Sequence, residues 1–415
     1  MIAEEWSSQN PQDDMANRRG RIPNLRLLAS HQSAVADALR LRRWGLALLT
    51  GEENRPPPKA SDNGYRLFLE AERCGVRLLH VLTEKGLAGS LPTYFQEKLS
   101  GRVVTEQRRI QSARDQLVEV GEIVRERGYR VAVLKGGAVA STLAAVDLVD
   151  IDLLVEAAHA RDFTAELDRR GYRPMGHSSS RHLIERSRVK SVPIEVHTSI
   201  HDDIPASRDL WASVTPLRAV QGLHRLGRAD HLWHLLLHAV VDHPERRGNI
   251  RDLLLIGGGV SDCTVDELEA VRRQVATHPS RRVLEQTLSM AQAVDTKNLL
   301  GDPLEYASDV RYSVRVLLCP LPIPRVLEGY VYRWAVALLF GPAERRNMWK
   351  EVFNVSIDPS SHRKVAWLEQ RAPRMGRRFR VAGRLARTVL ALKGAAPTAL
   401  LAGRIARRAT DELSA

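Results

Sequence analysis

Asp150 and Asp152 stand two positions apart in the apolar run Leu148 to Val155, and a strand alternates its side chains with period two. Both carboxylates therefore point to one side while Ile151 and Leu153 point to the other. Two carboxylates so close repel each other and are hard to keep ionised without a cation between them, which makes a divalent metal the expected partner. Upstream, the apolar run Val131 to Leu134 ends in Lys135-Gly136-Gly137. A Gly-Gly turn between strand and helix lets backbone approach a ligand and leaves helix N-terminal amides free for an anion. Magnesium prefers oxygen ligands and bridges protein carboxylates to substrate phosphates, so carboxylates beside an anion loop form a coherent pair. Glu195, set between Ile194 and Val196, is the third candidate because its apolar neighbours suit a central strand.

The elements that must position these groups form an α+β pattern. Strands are expected at Arg130 to Leu134 and Leu148 to Val155, helices at Gly137 to Ala145 and Ala158 to Arg170, and a hairpin from His182 to Arg186 and Val192 to His197. This small mixed-sheet core, residues 128–215, is flanked by helical regions. Residues 1–22 are polar and expected to be disordered, and 23–127 form an N-terminal helical region broken by Pro56-Pro57-Pro58. After the core, 216–345 is a helical region packing on it. Its helices are expected at Asp230 to Val241 with Asp230 as cap, Asn249 to Ile256, Val265 to Thr277, Arg281 to Asp295, Tyr306 to Leu318 and Tyr330 to Phe340. Gly257-Gly258-Gly259 reads as a turn. Residues 346–415 make a basic helical tail.

The 415 residues exceed one ordinary domain, and 44% apolar with 27% charged residues is a globular composition. No apolar stretch is long enough to span a membrane, and the acidic, polar start lacks the regions of a signal peptide, so a cytoplasmic location is expected. Cys74, Cys263 and Cys319 are few and widely spaced, which points to reduced thiols rather than a disulfide frame or zinc site. The net charge of +13 sits in the tail, where Arg363 to Arg408 holds thirteen basic residues against one acid, Glu369. A near-neutral remainder means the charge alone does not make this a nucleic-acid-binding protein.

Leu134 to Gly137, Asp150-Ile151-Asp152 after twelve intervening residues, and Glu195 on a later strand resemble the DNA polymerase β-like nucleotidyltransferase superfamily. More narrowly, Leu-Lys-Gly-Gly-Ala, the strand Asp-Ile-Asp-Leu-Leu-Val, Gly171-Tyr172 and Glu195-x-His197 resemble a bacterial group of largely uncharacterised nucleotidyltransferases over about residues 65 to 260. The resemblance implies transfer of a nucleoside monophosphate from an NTP to an acceptor with pyrophosphate release. It implies two Mg2+ ions on Asp150 and Asp152, with Glu195 as ligand and helper in deprotonating the acceptor. Gly136 and Gly137 would face the triphosphate, Lys135 would reach a phosphate, and His197 would orient the acceptor or carry a proton. His238 and Asp252 would line the cleft, since the group has a His and an Asp in corresponding helices. Members often carry an Arg before the Asp pair; here Leu143 to Val146 and Asp147 take that place, so no arginine is assigned to the nucleotide.

His231, His234 and His238 share one expected helix, with His234 and His238 at i and i+4, but no HExxH glutamate follows. Satisfied, packed imidazoles are the expected reading. The tail segment 363–408 alternates basic and apolar residues and suits an anionic membrane surface, nucleic acid or a solvated helix. Two other functions stay open at this level: a non-catalytic nucleotide-binding regulatory module, and an RNA-directed nucleotidyltransferase docking through the tail. The acceptor is not named by the sequence.

Overall fold

The structure is a computed structural model that describes residues 28–29, 31–138, 148–175, 183, 185–200, 209–218, 220–242, 248–296, 312–318, 325–340, 345, 388–389 and 391–407. The expected disordered start, the continuation of the 137–145 helix, His182 and the tail residues 346–387 lie outside this set.

The N-terminal helices are α1 (Gln32–Thr50), α2 (Asp62–Glu72), α3 (Gly75–Glu84) and α4 (Thr93–Arg127). Ser61 caps α2 by accepting from Gly64 N, and α2 and α4 end at left-handed residues Arg73 and Gly128. These helices share a core (Val35, Leu39, Phe68, Phe95, Leu99) with segment 312–318, α11 (Arg325–Phe340) and segment 391–407. Ala391, Ala395, Ala402 and Ile405 are buried there, whereas Lys393, Arg404 and Arg407 face outward. Within the tail expected to suit a membrane surface, nucleic acid or solvent, segment 391–407 buries its apolar side in the protein.

The centre is a seven-stranded mixed sheet among the described residues, in the order β3-β4-β5-β2-β1-β7-β6. Its strands are β1 (Val131–Val133), β2 (Ile151–Val155), β3 (Arg173–Met175), β4 (Glu185–Ser187), β5 (Ile194–His197), β6 (Thr215–Pro216) and β7 (His224–Arg225). The hairpin is present as β4 and β5, antiparallel with Arg186 opposite Ile194. The sheet extends past the expected boundary at 215, because β7 runs parallel to β1 with Val133 opposite Arg225. Between β1 and β2 comes a short helical turn α5 (Lys135–Ala138), and α6 (Ala160–Arg169) follows β2.

One sheet face packs Val131, Val133, Ile151, Leu153, Val155, Ile194 and Val196 against α4 and α6. Each of these side chains is fully buried and contributes about 1.5–3 kcal/mol by leaving water. Alternation sends Asp152, Glu195 and His197 to the opposite face, where Ala132, Leu134, Leu154, Ile200 and Leu226 form a smaller apolar layer.

Beyond the sheet stand α7 (Arg228–Leu237), α8 (Ile250–Asp262), α9 (Val265–Thr277) and α10 (Arg281–Thr296). The expected single helix Asp230 to Val241 is divided: α7 begins after Gly227 and His238–Asp242 forms a π-helical turn. Asp230 is not the cap but sits in the first turn, accepting from Ser213 Oγ at 2.7 Å. Gly257-Gly258-Gly259 is not a turn; it lies inside α8. A Cβ on Gly259 would meet Leu232 and Leu235 at 3.3 Å, so the absent side chain lets α7 approach α8. Cys74 and Cys263 are free thiols, as expected; Cys319 lies outside the described residues.

Candidate active site

Parallel pairing of β2 with β5 builds the site. The register sets Asp152 opposite Glu195 and Leu154 opposite His197. Period two then keeps Glu195 and His197 on the face that Asp152 occupies. His197 Nε2 lies 2.8 Å from Asp152 Oδ1 and 3.6 Å from Glu195 Oε2, and one ligand atom from each of the three falls within 4.8 Å of the others.

Long-range bonds from α4 hold both strands at their starts. Glu106, buried on α4, accepts from Leu148 N at 2.8 Å, two residues before Asp150. Gln116 accepts from Val192 N at 2.7 Å and donates to Val192 O at 2.8 Å, three residues before Glu195. Neither residue carries a mark in the sequence that would single it out.

Lys135 Nζ donates to Asp152 Oδ1 at 2.7 Å, and both side chains are buried. Lys135 has φ 47°, a left-handed conformation that non-glycine residues seldom adopt. Gly136 and Gly137 are not among the left-handed glycines. A Cβ on Gly137 would come within 2.7 Å of Val133 Cγ1, so that glycine serves close packing of the turn on β1.

Charge is balanced unevenly across the cluster. Burial together with the neighbouring Asp152 charge pushes the Asp150 carboxyl up to about 6, against the pull of Lys135. Burial alone would also raise Asp152, but Lys135 and then His197 outweigh it and hold this carboxyl well below the usual range. Burial acts to lower Lys135 and His197, yet the carboxylates win in both cases: Asp152 and Asp150 raise the ammonium, and hydrogen bonds to Asp152 and Glu195 raise the imidazole.

The remaining residues expected at the site are dispersed around it. His238 is half-buried where α7 passes into the π turn, its ring 6.2 Å from that of His234. Asp252 is buried in the first turn of α8, its N–H capped by Asn249 and its Oδ1 3.5 Å from Arg251. Arg251, which the sequence did not mark, is buried and close enough to Asp150 to oppose the rise of its pKa. His234 is buried, but the expected satisfied imidazole is not found: neither ring nitrogen has a hydrogen-bond partner among the described residues. Burial and the charges of Lys135 and His197 hold its pKa well below the ordinary value, which keeps the ring neutral beside the cluster.

Carboxylate oxygens of Asp152 and Glu195 and an imidazole nitrogen within ligand distance of one another, next to a third carboxyl, Asp150, that resists ionisation, fit a divalent cation. Fold and cluster together define an α+β protein whose mixed sheet carries a candidate metal centre on one face. A family model described as uncharacterised nucleotidyltransferase matches residues 68–294, more than half of the 415-residue chain, and the protein belongs to that family. No match is found among curated proteins or among solved structures.

Proposed function

We propose that the protein transfers a nucleoside monophosphate from an NTP to an acceptor nucleophile, releasing pyrophosphate, with divalent metal held by Asp150, Asp152, Glu195 and His197. The observation that carries this reading is the Asp152–Glu195 register across two parallel strands, which gathers carboxylates from distant sequence into one cluster in a nucleotidyltransferase-family chain. Mg2+, as two ions, is the cofactor the reading calls for; when bound it would supply charge stabilisation at the attacking and leaving oxygens.

The protein's own residues have separable tasks in this scheme. Glu195 is half-buried and holds one carboxylate edge where an acceptor hydroxyl can lose its proton. His197, between Glu195 and Asp152, holds the two carboxylates in place around the metal position. Lys135 balances Asp152 in the resting site and lies beside the turn where phosphates would pass. In this reading Arg251 and Asp252 of α8 and His238 of the π-helical turn would line the cleft.

Incubation of the purified protein with labelled ATP, CTP, GTP and UTP in a cell extract, with divalent metal present, tests the proposal. Label should appear on an acceptor together with released pyrophosphate, and both should vanish with Asp152→Asn and Glu195→Gln. Equal pyrophosphate release by wild type and both variants would sink it.

A further inference from the structure

A cavity of about 770 Å3 lies on the other flank of the α5 turn from the carboxylates. The strand order explains its position: Asp152 and Glu195 sit on β2 and β5, whereas the cavity is walled by β6, β7 and the start of α7, with Ala138 of α5 at its edge. Three guanidinium groups line it, from Arg218, Arg225 and Arg228. Two carboxylates are also present: Glu267 pairs with Arg228 at 3.1 Å, and Asp230 accepts from Ser213 through Oδ2, so the lining holds three cations against two anions. Arg225 Nε donates to Thr215 Oγ1 at 3.3 Å, and neither Arg218 nor Arg225 is paired with a carboxylate among the described residues. The first residues of α7, Arg228 to Asp230, also line the cavity, and their cap Gly227 offers no side chain to satisfy the amides. Guanidinium groups with spare donors beside an uncapped ten-residue helix leave a surplus of donors and positive charge, which suits a multiply charged oxyanion.

We propose that this cavity binds a phosphate-bearing anion, supplied by the polyphosphate of the nucleotide or by a phosphate on the acceptor. The inference rests on the transfer reading only in naming those two sources. Arg218 and Arg225 are then the binding residues. Glu195, on β5, lies three strands from β7, with β2 and β1 between it and the cavity.

Calorimetry of the full-length protein with inorganic tripolyphosphate, in the absence of divalent metal, tests the site. Wild type should bind, and the Arg218→Ala/Arg225→Ala protein should bind about tenfold or more weakly, with a flatter salt dependence. Arg218→Gln/Arg225→Gln should behave alike, and both should keep the wild-type melting curve because Arg218 is exposed and Arg225 only half-buried. No binding by wild type, or equal affinity in wild type and both variants, overturns the proposal. Displacement of tripolyphosphate by ATP assigns the cavity to the nucleotide; simultaneous binding of the two assigns it to the acceptor. Tripolyphosphate binding that depends on the arginines in a protein releasing no pyrophosphate would end the transfer reading and leave this site standing. Pyrophosphate release with arginine-independent binding would do the reverse.

Discussion

Lys135 Nζ and Asp152 Oδ1 meet at 2.7 Å with both side chains buried, so an ammonium from the first residue of α5 neutralises a carboxylate near the start of β2. Removing either partner leaves a buried charge that has lost its closest counterion, with His197 still beside Asp152 and with Asp150 and Glu195 still acting on Lys135. Asp152→Ala and Lys135→Met should each cost about 3–5 kcal/mol of stability, whereas the double substitution should recover much of that loss. Urea unfolding of the three proteins measures the coupling; simple additivity would contradict a direct pair.

Asp150 brings a pH dependence of definite sign. Its carboxyl is raised from 3.8 to about 6 in the folded protein, so its contribution is fully present below the unfolded value and is lost as pH rises through 6. In metal-free buffer, wild type should lose roughly 2–3 kcal/mol relative to Asp150→Asn between pH 4 and pH 7. Parallel stability profiles of the two proteins would remove the basis for a carboxylate in search of a cation. Added divalent metal should shrink the difference.

The imidazole among the donors predicts a metal preference. A site with His197 as ligand should favour Mn2+ over Mg2+, because Mn2+ is the softer ion and accepts an imidazole nitrogen more readily than Mg2+, which demands oxygen ligands. Mn2+ affinity, read by electron paramagnetic resonance, should rise with pH as His197 gives up a proton whose pKa its carboxylate neighbours have raised. In His197→Ala the preference for Mn2+ should largely disappear, and the pH dependence that remains should be the one Asp150 sets as it ionises near 6. An unchanged Mn2+ titration would place the imidazole outside the coordination sphere.

Adjacent glycines of α8 should respond in opposite ways. A Cβ at Gly258 meets nothing within 4 Å, so Gly258→Ala should stabilise by about 1 kcal/mol through helix propensity alone. Gly259→Val places branched methyls against Leu232 and Leu235 and should cost about 1–3 kcal/mol. Thermal melts of both variants decide it; destabilisation by Gly258→Ala would argue against a helix at this point.

Those glycines also show where sequence reading fails. Three in succession suggest a break, but packing of α7 on α8 outweighs the local preference. The β2 and β5 strands were legible because carboxylates interrupt apolar alternation there, and the same alternation placed Glu195 and His197 on one face. β3, β6 and β7 span two or three residues each, too few for any period to register. Glu106 and Gln116 act across 42 and 76 residues, and a hydrogen bond between distant positions leaves no local pattern. The arginine cavity was hidden for the same reason, since its walls come together only when β7 docks beside β1.

The 35 residues of α4 extend about 52 Å and take part in two hydrophobic cores: Phe95 and Leu99 in the helical one, Ile110 to Val124 against the sheet. A single rod embedded at both ends transmits load. Melting of the N-terminal helices would release the far end of α4 and with it the anchors on Leu148 and Val192, so Asp152, Glu195 and His197 should lose their alignment in the same cooperative event that dissolves a core to which none of the three belongs.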